Sequence, residues 1–389
     1  KNSNSGDPRM LLGRALLESG NPADAVLELD KALEAGQDKN RVMPVLARAL
    51  VHSGQQKKLL DKYGSTQLSD AQAQAEFRVF VGEAHVLQGD VAGGRAEIEQ
   101  ALKADPKMVT GRLALARVQA GMQDYKGAAA TLDGVVADAP NNSEAVQLQG
   151  DLALYVDDAP KIAIAKYRRA IELKPDNLAA HVGEVASAMR LDDLPGAKEA
   201  LARQAALFPQ HPETKFYQAQ LAFLEKDTKK ARDAVLQLLR LAPDDVKLLT
   251  LAGMIEYQAN SLVQAEAQLS KVIKAAPESL VARRLLASIY VTTGKTDKVL
   301  EVLRPALDSG RADATMLTIA AQAQLQSGDL RTADLLLQRA AQLTPNDTSV
   351  RTAVAVSQLA KGNADNAFTA LQAISRDRSE EHTSELQSH

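Results

Sequence analysis

Cysteine and tryptophan are absent from the 389 residues, and aromatics are limited to six Phe and seven Tyr. Without thiols this stretch can form no disulfide, Cys-ligated zinc site or iron–sulfur cluster and has no thiol nucleophile, an absence that suits reducing and oxidising compartments equally. No apolar run approaches the roughly 18 residues that a membrane-spanning helix requires. Charge of one sign is also missing: 46 Lys and Arg face 49 Asp and Glu, a formal net charge of -3. That balance provides no basic field for a phosphate backbone, so nucleic acid is not an expected partner. The chain starts at Lys1 without a charged-then-apolar leader, which reads as a processed protein or a piece of a longer one.

Hydrophobic residues make up 45%, most of them Ala, Leu and Val, enough small helix-forming material for a large core. The prolines are periodic. Pro106, Pro140, Pro175, Pro209, Pro243 and Pro277 follow one another at 34 or 35 residues, Pro345 lies two periods further on, and Arg311 occupies the skipped slot. Asn260, Gly294, Gly328 and Gly362 keep the same phase, as do Gly253, Ala287, Ala321 and Ala355. A fixed period of this size marks stacked supersecondary units, and regular helix breakers argue against a coiled coil.

Each series has a physical reason. In Val246 to Ser279, apolar residues recur at helical spacing on both sides of Asn260, which predicts two helices of about a dozen residues joined by a tight turn. Gly294, Gly328 and Gly362 fall where the first helix must end in a left-handed residue. Gly253 and its counterparts must be small where the paired helices cross, facing Ala265, Ala333 and Ala367 and, a turn later, Leu269, Leu303, Leu337 and Leu371. Proline then separates one hairpin from the next.

No catalytic constellation is visible. Gly294, Lys295 and Thr296 look like the end of a phosphate loop, but its upstream glycine position holds Ile289. His52, His85, His181 and His211 lack metal-ligand spacing. Asp157/Asp158, Asp192/Asp193 and Asp244/Asp245 fall in turns, where Asp caps the next helix or bends the chain. The expectation is therefore no catalytic residue, no cofactor and no metal.

The pattern resembles the tetratricopeptide repeat, a 34-residue helix–turn–helix unit. The resemblance covers residues 6–376 as a continuous array of about eleven units, starting near Gly6, Asn40, Ala75, Val109, Ser143, Leu178, Pro212, Val246, Leu280, Ala314 and Thr348. It implies an all-α, right-handed α-solenoid. Unit two is the weakest, its second helix short and without a closing proline, and unit five carries one extra residue. Residues 377–389 are expected to be a tail without function, because RSEEHTSELQS resembles the in-frame translation of a common sequencing-library adapter.

In such solenoids the first helices line a concave groove. In the units of perfect phase their non-core faces offer Phe216, Tyr217, Gln220 and Phe223, then Thr250, Met254, Tyr257 and Gln258, then Arg284, Ser288 and Thr292, then Thr318, Gln322 and Gln326. This surface is neutral, aromatic at one end and rich in amides and hydroxyls. Arg284 stands without the clustered Lys, Arg and Asn with which some tetratricopeptide co-chaperones grip a terminal carboxylate.

The segments AGMIEY (252–257), ARRLLASIY (282–290) and VLRPAL (302–307) are similar to the long tetratricopeptide-repeat lipoproteins of the bacterial PEP-CTERM/exosortase system, associated with exopolysaccharide biosynthesis. That resemblance implies a noncatalytic, envelope-anchored or periplasmic scaffold with a protein or peptide in its groove, polysaccharide being a second ligand class. A substrate-reading arm of an enzyme such as a glycosyltransferase and a cytoplasmic assembly adaptor remain alternatives.

Overall fold

The computed structural model describes residues 6–387, with side chains from Asp7 to Arg376. Those residues form helices and turns only, and the chain divides into two compact bodies, one ending at Phe208 and the other beginning at Pro209.

The first body contains α1 (Gly6–Glu18), α2 (Pro22–Glu34), α3 (Lys39–His52), α4 (Gln56–Lys58), α5 (Ala71–Leu87), α6 (Val91–Ala104), α7 (Val109–Gly121), α8 (Tyr125–Asp138), α9 (Ser143–Tyr155), α10 (Pro160–Leu173), α11 (Leu178–Arg190) and α12 (Leu194–Leu207). The second contains α13 (Pro212–Leu224), α14 (Thr228–Leu241), α15 (Val246–Gln258), α16 (Leu262–Ala275), α17 (Leu280–Thr292), α18 (Thr296–Asp308), α19 (Ala314–Ser327), α20 (Leu330–Leu343), α21 (Thr348–Ala360) and α22 (Ala364–Gln387).

Helices pair in sequence, α1 with α2, α5 with α6 and so on, and each hairpin packs on the next, so both bodies are α-solenoids. Within the first body α1 touches α3, α3 touches α5, α5 touches α7 and α9 touches α11; within the second α13, α15, α17, α19 and α21 form the same kind of row. The second helices of successive hairpins form no comparable row. The odd-numbered helices therefore crowd the inner side of each stack.

Three local devices set these hairpins. The first is a left-handed residue at the turn inside each hairpin: Gly294 and Gly328 adopt φ of 69° and 87°, as the sequence requires, yet Gln123, Asp158, Asp192, Lys226 and Asn260 hold the same role at φ between 50° and 63°. For a side chain larger than Asn or Asp this conformation costs about 1 kcal/mol or more. Lys226→Gly and Gln123→Gly are thus each expected to stabilise their body by up to about 1 kcal/mol, read as a higher urea midpoint. The second device is N-capping. Asp90, Asp124, Asp193, Asp227 and Asp329 each accept from the backbone amide three residues on, while Asp245, Asp313 and Asn177 do the same for first helices. The third is the small residue at the crossing: a Cβ on Gly253 would lie 2.6 Å from Leu269 Cγ.

Unit two departs from the pattern. Its second helix is α4 continuing into a π-type turn at Leu59–Tyr63, with Leu59 buried. Lys58 Nζ and Tyr63 Oη both donate to Asp30 of α2, at 2.6 and 2.5 Å, fastening the short segment to the preceding hairpin. At the other end α22 runs 24 residues through Gln387. The side chains of the adapter-like tail lie outside the described residues, as does Ser388 altogether.

Candidate binding groove

Residues spaced by three or four share one face of a helix. On α3, α5 and α7 this places Val45 and Arg48, Phe80 and Glu83, and Ala114 and Arg117 on the inner side of the first body, where they line a groove of about 820 Å³. Its remaining lining comes from α1 and from the start of α9, so five successive first helices build it and no second helix contributes. Val51, Val79, Val86, Leu113 and Val118 complete an apolar floor. Pro44, inside α3, is buried in that floor.

Charges run in a register across it. Counted from Gly6, Asn40, Ala75, Val109 and Ser143, the ninth residue of each unit is Arg14, Arg48, Glu83, Arg117 and Asp151. Arg48 Nη1 reaches Glu18 of α1 at 3.0 Å, and Arg117 Nη1 reaches Glu83 at 3.2 Å while its other terminal nitrogen pairs with Glu144 of α9. Burial pushes the Glu83 carboxyl above the ordinary carboxylate range against the opposing pull of Arg117 and Arg48. Burial likewise holds the His52 imidazole below its ordinary value; Arg48 and Arg117 add to the effect, and Glu18 opposes it. Burial also raises Asp151, although Tyr167 Oη donates to it at 2.7 Å and Gln147 adds a second hydrogen bond. The groove thus combines an apolar floor with guanidinium groups, carboxylates and one imidazole.

The residues that the sequence singled out lie in the second body and do not form one site. Phe216 and Tyr217 are corrected from surface contacts to packing: they are only 6% and 7% exposed, meet edge-on at 5.4 Å, and lie under Lys247, whose Nζ is 3.9 Å from the Phe216 ring centre. Helix-spaced aromatics followed by a long cation on the next first helix cover one another. Gln220, Phe223, Met254 and Tyr257 are half-buried, and Gln258, Gln322 and Gln326 are exposed. Thr250, Ser288, Thr292 and Thr318 donate their hydroxyl hydrogens to carbonyls one turn back in their own helices. Arg284 reaches Asp313 at 3.4 Å. Only Thr318 and Gln322 are brought together in a depression of about 640 Å³, with Thr352 and Val356 of α21.

The first-helix surface read as neutral belongs to the units of perfect phase in the second body; the first body, to which that reading did not extend, brings Arg14, Arg48 and Arg117 to one groove. The signal was in the sequence, as the ninth-residue register of Arg14, Arg48 and Arg117. Elsewhere the histidines serve the fold: His85 pairs with Asp90 at 3.0 Å, buried His181 contacts the Pro175 carbonyl at 2.9 Å, and His211 Nδ1 caps α13 by accepting from the Glu213 amide. Asp193 and Asp245 cap helices, while Asp158 and Asp192 supply turn residues. Among the described residues no helix is long and apolar enough to cross a membrane.

Comparison with protein families matches the chain to the tetratricopeptide repeat, with one model of that repeat covering residues 10–58 and 183–246 and another covering 85–152. No curated protein matches. Among solved structures the chain is similar to PilW, described as a widely conserved type IV pilus biogenesis factor, at 18% identity over 55% of this chain and 98% of that one, with a TM-score of 0.48. It is similar to pilF of Pseudomonas aeruginosa at 17% identity over 56% and 99%, TM-score 0.49, and to the Cut9–Hcn1 hetero-tetramer of the APC/C at 13% identity over 96% and 88%, TM-score 0.46. These are likenesses of fold, not of activity.

Proposed function

We propose that this chain of tetratricopeptide repeats is a noncatalytic scaffold that holds a segment of a partner protein in the first-helix groove of its first body. The observation that carries this reading is the lining itself: five successive first helices, and nothing else, enclose about 820 Å³ of apolar floor bordered by paired charges. Apolar centres with charged and polar rims characterise protein interfaces. Because the groove stands on helices already locked by their hairpin partners, docking orders few side chains and keeps most of its interaction energy.

The setting we propose is a bacterial envelope system of the PEP-CTERM/exosortase kind, supported by the AGMIEY, ARRLLASIY and VLRPAL segments. In the second body, Gln220, Phe223, Tyr257, Gln258, Gln322 and Gln326 are proposed as a further contact row, supported by the depression that holds Thr318 and Gln322.

Peptides selected from a phage-displayed library on the whole chain test this reading. Phe80→Ala combined with Arg117→Ala is expected to weaken the selected peptides about tenfold or more in Kd, with unchanged helicity, because Phe80 supplies floor and Arg117 the rim. Ligands indifferent to that pair but lost in Gln258→Ala with Gln322→Ala would move the site to the second body.

A further inference from the structure

A hydroxyl group that gives its hydrogen to a nearby carbonyl still has oxygen lone pairs with which to accept. On the inner side of the second body this describes Thr318 of α19 and Thr352 of α21, the fifth residues of units ten and eleven. Their hydroxyls donate to the Ala314 and Thr348 carbonyls at 2.8 and 2.7 Å. Both threonines line the depression of about 640 Å³, together with the exposed amide of Gln322 and an aliphatic surface that includes Leu325, Leu337 and Val356. No charged side chain lines it. The reason is in the helices themselves: α19 contains no Asp, Glu, Lys or Arg, and α21 contains only Arg351, which is not part of the lining. The acids that start these helices are engaged, Asp313 capping α19 and meeting Arg284, and Asp347 accepting from the Ser349 and Val350 amides.

We infer that this depression is a second docking site, and that it takes an uncharged segment of a partner protein carrying aliphatic and primary-amide side chains, those of Asn or Gln. The inference rests on the further contact row proposed above for the second body and gives that row a ligand class. Its chemistry differs from that of the first-body groove, where three guanidinium groups and four carboxylates line the site.

Matching of charge selects the occupant. A carboxylate or ammonium group entering the depression would give up water without meeting an opposite charge. A primary amide is neutral and carries both kinds of hydrogen-bonding group. Its N–H groups find threonine oxygens whose own hydrogens are already engaged, and its carbonyl finds the Gln322 amide, while flanking aliphatic side chains cover Leu325 and Val356.

Four short fluorescently labelled peptides test the inference by anisotropy on the whole chain: one alternating Leu and Gln, and versions with Glu, Lys or glutamate methyl ester in place of Gln. The ester is uncharged and keeps the carbonyl but lacks the N–H groups. The Leu/Gln peptide is expected to bind, with a Kd that changes less than about twofold between about 50 and about 500 mM salt, because no ion pair forms. The Glu and Lys peptides should bind at least about tenfold more weakly and the ester about fivefold more weakly. Thr318→Val with Thr352→Val keeps the shape, removes both acceptors and should cost about tenfold, whereas Thr318→Ser with Thr352→Ser keeps the hydroxyls and should stay within about twofold of the native chain. Both pairs are checked for native helicity, and the peptide series on the unaltered chain is an arm independent of folding. Equal binding of the Glu or Lys peptide, a valine pair as tight as the native chain, or no binding of the Leu/Gln peptide would overturn the inference. Loss of the Leu/Gln peptide in Phe80→Ala with Arg117→Ala would place it in the first body and overturn the inference while leaving the scaffold reading standing. Charged phage-selected peptides that are lost in Gln258→Ala with Gln322→Ala would keep the contact row and overturn its ligand class.

Discussion

Tyr167→Ala is expected to destabilise the first body by about 4 kcal/mol, the range for removing a fully buried aromatic side chain and leaving a cavity. Tyr167 on α10 occupies the position that Leu269, Leu303 and Leu337 hold in other hairpins, and it is completely buried. Its ring fits only because glycine faces it from both sides: a Cβ on Gly150 of α9 would stand 2.8 Å from the ring, and one on Gly183 of α11 only 2.3 Å. Its hydroxyl hydrogen goes to Asp151 at 2.7 Å, so truncation also removes a hydrogen bond from a carboxylate that burial already disfavours. Because each hairpin is held mainly by its neighbours, the loss should appear first around α9 to α11. Hydrogen exchange checks this: amides there should lose protection well before those of the second body. Tyr167→Phe, which keeps the packing, should cost about 1–2 kcal/mol.

Gly82→Val is the second large effect, about 3 kcal/mol in a urea unfolding curve. In two other hairpins the small residue of the first helix faces a flexible side chain, Gly13 facing Leu29 and Gly253 facing Leu269. In the third hairpin both crossing residues are glycine, so the backbones approach: a Cβ on Gly82 would lie 2.7 Å from the Gly94 carbonyl oxygen, and one on Gly94 would lie 2.5 Å from the Gly82 oxygen. Backbone atoms cannot rotate aside, so α5 and α6 must part and expose Ile98, which is otherwise fully buried. Gly20→Ala, in contrast, meets no atom within 4 Å and should be limited to the cost of its positive φ.

The hairpins were legible because their punctuation is local. First helices begin at Val109, Ser143, Leu178, Pro212, Val246, Leu280, Ala314 and Thr348, in phase with the prolines that precede most of them. Turn positions were legible where Gly or Asn occupies them and not at Lys226 or Gln123, where neighbouring hairpins hold an unfavourable conformation that no local signal announces. Gly183 also had no reading from periodicity, since its cause is an aromatic ring on the preceding helix.

The groove was harder to place for a related reason. Unbroken phase points to units seven to eleven, yet there the hydroxyls bond to their own helices, and Phe216 and Tyr217 pack beneath Lys247. In the first body α5 begins at Ala71, ahead of the unit start near Ala75, and unit two ends in a π-type turn, which obscures the register of Arg14, Arg48, Glu83 and Arg117 until the helices are aligned in space. Repeat periodicity reports what each unit buries. Ligand specificity depends on inner-face residues that the repeat leaves free to vary, so its trace is the kind of residue at one repeated inner position, as at Arg14, Arg48 and Arg117, and not the buried pattern.

The most direct measurement is a crystal structure of the whole chain with the tightest phage-selected peptide. The account predicts the peptide lying across α1, α3, α5 and α7, with aliphatic side chains on Val45, Val79 and Phe80 and a polar group of the peptide within hydrogen-bonding distance of the charged rim at Arg48 or Arg117. A peptide seated on the second helices, or on the inner face of the second body alone, would contradict it.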